Sequence, residues 1–219
     1  MKNNRNLIST LQNKAISFLK SSCITVNGAD IYPKEIEVYY YETGAFEDVY
    51  VHRDERQKNH PDSFYVHRKG RGGCDFVVSS DNTYYSYLLR SVVIDNELIV
   101  GPQKTYEAIC CKTGLYGREL ESADVAVSRC ENAHNVFTTE RIGLNPAKDP
   151  ENNFFDAELR FIICDEYFKP HAGYKGREAA FGKFMKAKLA GHEITKEQAM
   201  TEARTHLGYV PKWLKEFRV

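Results

Sequence analysis

Apolar residues near the start of the chain recur with the period of an α-helix. Within the first twenty residues they stand three or four positions apart, at Leu7, Leu11, Ala15, Phe18 and Leu19. Side chains at this spacing lie on one face of a helix. The pattern therefore predicts an amphipathic helix over residues 6–20.

The segment that follows alternates between two faces, as a β-strand does. Over residues 34–41, the side chains at 36, 38 and 40 lie on one face and Glu37, Tyr39 and Tyr41 on the other. Glutamate is depleted in strands and is almost never fully buried without a partner. The strand therefore either lies at a surface or presents Glu37 for chemistry.

Four later segments have the composition of β-strands. Short apolar runs cover residues 63–67 and 75–79, a longer run covers 84–94, and another covers 157–164. The first two runs flank a glycine-rich, cationic segment that suits either a tight hairpin or contact with a phosphate oxygen. Its glycines do not match the P-loop template, so a nucleotide-binding loop is not expected.

The end of the chain has helical spacing. A Gly-Pro pair at 101–102 already opens one short helix, and from Gly176 glycines and a proline divide the sequence into three more. Strands followed by helices indicate an α+β fold. We therefore expect one domain over residues 1–168 and a basic helical C-terminal extension over 169–219, either packed on that domain or appended to it.

Composition excludes several classes of protein. A chain of 219 residues with 42% hydrophobic and 12% aromatic residues is globular, and no apolar run approaches the roughly 18 residues of a membrane span. The N-terminus lacks the apolar block of a signal peptide, so the cytoplasm is the expected location. Six scattered cysteines without a CxxC pair predict reduced thiols rather than disulfides or a zinc site.

Charge is balanced overall but unevenly distributed. Eleven Lys or Arg and five Asp or Glu lie from Phe168 onward, a balance of +6 in a chain whose net charge is zero. Proteins that bind duplex DNA usually present a basic face, because neutralising phosphates supplies most of the non-specific affinity. The C-terminal quarter is therefore either a nucleic-acid contact or a solvated basic surface.

A carboxylate and an arginine on neighbouring strands form the first candidate site. Alternation places Arg90 on a face with Leu88 and Val92, where an unpaired guanidinium costs several kcal/mol. The strand carboxylates Glu37 and Asp75 are its candidate partners. A buried ion pair that only fixes strand register remains an equal alternative at this point.

Three histidines, His52, His60 and His67, form a loose group. No pair has the spacing of a ready-made metal chelate, so we expect no metal site. One of them is expected to orient a water or a hydrogen bond, and the others to be exposed.

These residues occur in an order that resembles the alkyladenine (3-methyladenine) DNA glycosylase family. The similar segments run from the N-terminal helix to about residue 165 and comprise Glu37-Val38-Tyr39, "FEDVYVH" (46–52), "SFYVHRKGRGGCDFVVS" (63–79), "YLLRS" (87–91), Gly101-Pro102 with Lys104, "ERIGL" (140–144) and "LRF" (159–161). Residues beyond about 168 have no counterpart in the family.

The resemblance implies a fold and an activity. The family has a curved, mainly antiparallel sheet, uses no metal or cofactor, and hydrolyses the N-glycosidic bond of a damaged base that it flips out of DNA. In this chain Glu37 is then the general base, and Arg90 with the main-chain carbonyl around Tyr50 holds the water. Tyr39, His52 and His67 line the base pocket. The expected partner is DNA, bound by a monomer.

The departures from the family predict altered specificity. The family's wedge tyrosine falls in "RKGRGG", which has no aromatic residue, so single-stranded or unpaired DNA becomes a plausible substrate. The pocket asparagine aligns with Phe76 or, after a shift of one residue, with Asp75. The candidate nucleic-acid contacts are Arg68, Lys69, Arg71 and Lys104.

Two other functions remain open. The chain is alternatively a catalytically silent nucleic-acid or protein-binding module that has kept the fold, or an N-glycosidase of free nucleosides, nucleotides or an unusual modified base.

Overall fold

The computed structural model describes residues 2–58, 61–68, 72–79, 83–131, 134–168 and 177–217. His60, Lys69 and Arg71, which the sequence analysis singled out, lie outside these ranges. No helix in the described ranges combines the length and the apolar character that crossing a membrane requires. All six cysteines are free thiols.

The N-terminal helix α1 spans Lys2–Ser21 and confirms the predicted helix, which begins four residues earlier than the apolar pattern alone indicated. Leu11, Ala15 and Leu19 are fully or nearly fully buried in the main core. Phe18 adds a stacked contact with the ring of Phe76, at 5.4 Å between centroids. The helix is therefore held by its apolar face against the sheet.

An antiparallel sheet that curls into a half-barrel forms the centre of the fold and confirms the predicted α+β class. Its strands in the described residues are β1 (Ser22–Val26), β2 (Ala29–Glu42), β3 (Phe46–Glu47), β4 (Ser63–Val66), β5 (Cys74–Val77), β6 (Tyr84–Ile94), β7 (Glu97–Val100), β8 (Val125–Arg129), β9 (Asn135–Thr139) and β10 (Arg160–Cys164). The order along the sheet is β4-β5-β6-β2-β1-β8, and β10 pairs with both β2 and β9. The long strand β2 is thus the hub of the sheet.

Local sequence explains two of the hairpins. Asn27 and Gly28 both have positive φ and join β1 to β2, and Asp95 and Asn96 do the same between β6 and β7. Two consecutive residues with positive φ form the type I′ turn, whose twist matches that of the flanking strands. Asn, Asp and Gly tolerate this conformation best.

The segments predicted as strands are confirmed, but β8 and β9 lie in a stretch to which no strand was assigned from the sequence. Four of the five residues of β8 are exposed, and among the described residues this edge strand pairs with β1 alone. A strand without a buried face has no apolar alternation, and the pattern that identifies strands is therefore absent.

In the part of the chain that the structure describes, five helices follow the first one: α2 (Pro102–Thr113), α3 (Arg118–Glu121), α4 (Arg177–Ala190), α5 (Lys196–Leu207) and α6 (Lys212–Glu216). Short 3-10 turns cover Glu55–Gln57 and Pro146–Lys148. Helix α2 confirms the Gly-Pro start, with Pro102 at its first position and Gly114 in the left-handed conformation at its end.

The C-terminal helices pack on the sheet through a second hydrophobic core. Phe137 of β9 makes ring contacts with Phe181 and Phe184 of α4, at 5.8 and 4.7 Å between centroids. Ile162 and Cys164 of β10 belong to the same cluster. The helices are therefore part of the packed structure rather than a detached arm.

Candidate functional site

A cavity of about 770 Å³ opens at the centre of β2, between the sheet and three connecting segments. Its lining brings together Glu37, Tyr39, Tyr50, His52, Gln57, His67, Gly72, Asp75, Leu88, Arg90, Val100, Gly101, Pro102, Gln103, Lys104, Ile142, Gly143, Leu144, Asn145 and Lys148. Eight of these were selected from the sequence as site residues. The volume is in the range typical of small-ligand sites.

Glu37 lies in the wall of this cavity with no exposed surface of its own. Its Oε1 is 3.2 Å from Nη1 of Arg90 and accepts a hydrogen bond from the Ile142 main-chain N–H at 2.9 Å. Its Oε2 accepts the Tyr39 hydroxyl at 3.0 Å. Because each carboxylate oxygen has two lone pairs, Oε2 keeps one acceptor position among the described residues.

The register between β2 and β6 is irregular beside Arg90. Glu35 pairs with Ser91 and Ile36 with Leu89, so Arg90 is an extra residue of β6 between two paired positions. Such a bulge disrupts alternation and re-aims a side chain. It places Arg90 and Ser91 on the same side, where both donate to the Glu35 carboxylate at 3.0 Å.

The bulge also corrects one sequence prediction. Leu88 lines the cavity with Arg90 as expected, but Val92 packs in the main core. Strict alternation from Arg90 put Val92 on the cavity side. The extra residue at position 90 reverses the faces of the strand beyond it.

Glu35 and Arg160 belong to the same network, and the sequence analysis did not identify either. Arg160 donates to Glu35 Oε1 from Nε at 2.9 Å and contacts it from Nη2 at 2.8 Å. Both side chains are completely buried. One sequence signal pointed to Glu35: it is two residues before Glu37 and therefore lies on the same face of the strand. Arg160 could not be assigned because β10 is remote in sequence.

Arg141 forms the back of the aromatic wall. Its guanidinium lies 4.8 Å from the ring of Tyr39 and 5.4 Å from the ring of Tyr50, and it donates to Asp48 at 2.6 Å. Burial, and next the nearby charge of Glu37, raise the pKa of Tyr39 well above its usual value. Tyr39 therefore remains a neutral phenol that donates to Glu37.

The opposite wall carries a histidine–carboxylate pair. His67 Nε2 is 2.6 Å from Asp75 Oδ1, and Oδ2 of Asp75 accepts from Ser86 at 2.7 Å and Gln57 at 3.1 Å. Burial alone would lower the pKa of His67, but the charge of Asp75 and its hydrogen bond outweigh burial and raise it. Burial alone would raise the pKa of Asp75, which the interaction with His67 instead lowers.

His52 lies beside this pair, and its pKa is shifted in the opposite direction to that of His67. Its ring meets that of His67 edge to face at 4.8 Å, and its Nδ1 is 3.0 Å from the Tyr65 hydroxyl. Burial, followed by the charge of His67, lowers the pKa of His52. Two adjacent imidazoles in one cavity thus favour opposite protonation states.

Phe76 does not line the cavity, contrary to the sequence expectation. It is buried in the main core against Phe18 and Phe64. Its neighbour Asp75 faces the cavity instead, because successive residues of β5 point to opposite faces of the sheet. Of the two residues considered for this position of the pocket, Asp75 lines the cavity and Phe76 does not.

The candidate nucleic-acid contacts separate into different places. Lys104 lies at the cavity rim on the first turn of α2. Lys148 also lines the cavity, in the 3-10 turn at Pro146–Lys148, and both lysines are exposed. In the described part of the chain neither makes an ion pair. Arg68 instead faces α3, where it pairs with Glu121 at 3.1 Å outside the cavity. Lys148 was missed because a single loop lysine carries no sequence signal.

Backbone conformation at the rim favours glycine. Gly72 has φ +74° and Gly73 has φ +115°, values that side chains other than glycine rarely adopt. A Cβ on Gly73 would also lie 3.1 Å from Cβ of Pro102, a tight contact. The two glycines let this part of the chain lie against the start of α2 at one side of the cavity.

The described residues contain no group of three or more His, Cys, Asp or Glu side chains arranged to hold a metal ion. What the cavity does combine is a carboxylate fixed by donors, an imidazole paired with a second carboxylate, and tyrosine rings. Such groups suit proton transfer and the stacking of a planar ligand.

No family model matches the sequence, and a search of curated proteins also finds no match. The resemblance to the alkyladenine DNA glycosylases therefore stays a prediction from the sequence motifs.

Proposed function

We propose that the protein is a monofunctional N-glycosylase that removes a modified or damaged base from DNA by hydrolysis. The observation that carries this proposal is the position of Glu37: a carboxylate oriented by Arg90, at a cavity walled by tyrosine and histidine rings. Hydrolysis at an anomeric carbon passes through an oxocarbenium-like state, which a nearby carboxylate stabilises while activating a water.

The contacts of the Glu37 carboxylate fit this role. Tyr39 and the Ile142 N–H donate to it and Arg90 forms an ion pair with it, so it is held as an acceptor. The remaining acceptor position on Oε2 is where we assign the attacking water. Glu37 takes a proton from this water as its oxygen bonds to C1′ and the base departs with the glycosidic electron pair.

The base itself stacks on aromatic walls in this proposal. Tyr39 and His52 offer ring faces and edges in the cavity, and stacking contributes on the order of 1–3 kcal/mol per base. Lys104 and Lys148 lie where phosphates beside an extruded nucleotide would pass. We further propose unpaired or single-stranded DNA as substrate, a monomeric enzyme and a cytoplasmic location.

The test is base release from oligonucleotides that carry hypoxanthine, ethenoadenine or 3-methyladenine, single- and double-stranded, detected as alkali-labile abasic sites. We expect release by the wild type and a loss of at least about 100-fold in Glu37→Gln, which cannot accept the water proton. The matched control is Glu42→Gln, the same change on the same strand, where Glu42 accepts only the Tyr40 hydroxyl outside the cavity.

Equal release by Glu37→Gln and the wild type would contradict the proposal. Salt-sensitive binding of oligonucleotides without any release would identify a silent nucleic-acid-binding module instead.

A second candidate is an N-glycosidase of free nucleosides or nucleotides. It is favoured by the zero net charge of the chain and by the cavity rim, where the exposed cations among the described residues are two lysines. A small substrate needs no extended basic face. Release of base from nucleosides but not from oligonucleotides supports this candidate over the first.

A further inference from the structure

We propose that His67 and Asp75 form an acid–base dyad that protonates the departing base, which suits the enzyme to neutral nucleobases. His67 is the catalytic acid and Asp75 its positioning residue. The inference rests on the proposed function, because it assigns the leaving-group half of the same hydrolysis.

The carboxylate of the dyad is rigidly held. Asp75 keeps 2% of its side chain exposed, and all its contacts are donors: His67 on Oδ1, and Ser86 and Gln57 on Oδ2. A carboxylate hydrogen-bonded to one imidazole nitrogen fixes the orientation of the ring and its tautomer. Asp75 thus presents His67 to the cavity in one orientation.

The second nitrogen of His67 is available for a ligand. Nε2 is committed to Asp75, and Nδ1 has no hydrogen-bond partner among the described residues. The side chain lines the cavity and is 13% exposed. With Nε2 paired and Nδ1 open, the imidazole can exchange a proton with a ligand in the cavity through Nδ1, and it donates there when it is protonated.

The pKa values of the two histidines in this wall, His67 and His52, shift in opposite directions. Asp75 raises the pKa of His67 against the effect of burial, whereas burial and then His67 lower the pKa of His52. These opposite directions favour a proton on His67 over one on His52. The charge of Asp75 also contributes to the raised pKa of Tyr39, so the dyad lies within Coulombic reach of the Glu37 network.

The two walls of the cavity account for both proton transfers of the hydrolysis. The water gives a proton to Glu37 while the water oxygen bonds to C1′. The electron pair of the glycosidic bond passes to the base nitrogen, which takes the Nδ1 proton of His67. Afterwards Glu37 releases a proton to solvent and His67 regains one. A neutral base needs this proton because it otherwise leaves as an anion, whereas a base that is already cationic leaves as a neutral molecule.

The experiment compares two lesions in one oligonucleotide context, neutral hypoxanthine and cationic 7-methylguanine, with single-turnover release by the wild type and His67→Gln. We expect His67→Gln to lose about 100-fold or more on hypoxanthine and only a few-fold on 7-methylguanine, the range of general acid catalysis. The control is His206→Gln, which changes another histidine–carboxylate pair, with Glu202 on α5 at 3.0 Å.

Equal losses on both lesions, or no loss on hypoxanthine, overturn the dyad. If His67→Gln does not fold, Asp75→Asn keeps the shape of the carboxylate and is read in the same way. Release of 7-methylguanine alone by the wild type overturns the dyad and leaves the proposed function standing. No release of either lesion, nor of ethenoadenine or 3-methyladenine from the same oligonucleotide, overturns the proposed function, and the dyad with it.

Discussion

The two hydrophobic cores of the molecule differ in what they bury beside their apolar side chains. Around the main core and the cavity, completely buried charges include Glu35, Glu37, Asp48 and Arg160. Over residues 178–217, whose side chains the structure describes, no charged or polar side chain is buried. Burying a charge is costly unless it is paired, whereas an apolar cluster has no such cost.

This difference separates a supporting region from a candidate functional one. The second core, with Phe137, Phe181 and Leu214 fully or nearly fully buried, contributes stability by burial alone. The first core keeps costly charges in fixed positions around a cavity. Buried charges gathered at a cavity are the arrangement that the proposed hydrolysis needs.

The largest effect is expected where the paired charges are broken. Arg90→Met leaves Glu37 without its ion pair and removes one of two arginines from Glu35, so we expect a loss of about 3–5 kcal/mol in the free energy of unfolding. Urea denaturation measures it. Arg129→Met, at a pair whose side chains are mostly exposed, is the control and should change stability little.

The next effect concerns the apolar core. Leu214→Ala creates a cavity where the side chain is completely buried, with an expected loss of about 2–5 kcal/mol. Base release per folded molecule should stay at the wild-type level, because among the described residues the cluster around Leu214 shares no member with the cavity lining. A fall in specific activity at temperatures where the variant is folded would show that the second core does more than support the sheet.

A smaller effect should depend on pH. The raised pKa of His67 means that its pairing stabilises the fold fully below the unfolded histidine pKa of about 6.5 and is lost as pH rises through the folded value. The lowered pKa of Asp75 gives a contribution present above the unfolded aspartate value and lost as pH falls through the folded one. The pair therefore stabilises most between roughly pH 4 and 6.5.

Its measurement is the difference in unfolding free energy between the wild type and His67→Gln. We expect this difference to be about 1 kcal/mol larger at pH 5.5 than at pH 8.5, since hydrogen bonds to charged groups are stronger than neutral ones. A difference independent of pH would mean that His67 does not carry a proton in the folded state.

The smallest effect distinguishes the two regions as nucleic-acid contacts. Lys148→Ala, at the cavity rim, should weaken binding of a single-stranded oligonucleotide a few-fold and reduce the salt slope by about 1. Lys212→Ala, on α6 with 87% of the side chain exposed, should leave binding unchanged. If Lys212→Ala weakened binding more than Lys148→Ala does, the basic C-terminal helices, and not the cavity rim, would be the DNA contact.

Much of the fold followed from local signals in the sequence. The helical period of residues 6–20, the strand patterns and the Gly-Pro start of α2 are confirmed, because each depends on neighbours within a few residues. The pairing of Glu37 with Arg90 was also anticipated, since a charged side chain in an apolar strand needs a partner. Edge strand β8 was missed because it has no buried face.

What the tertiary structure alone decided is the register around Arg90. Neither the bulge at Arg90, nor the burial of Val92, nor the arrival of Arg160 from β10 can be read from alternation. These depend on which strands pair and where one strand has an extra residue, and the energies that decide this come from contacts far apart in sequence. The sequence by itself determined which residues need partners; the folded sheet determined which partners they have.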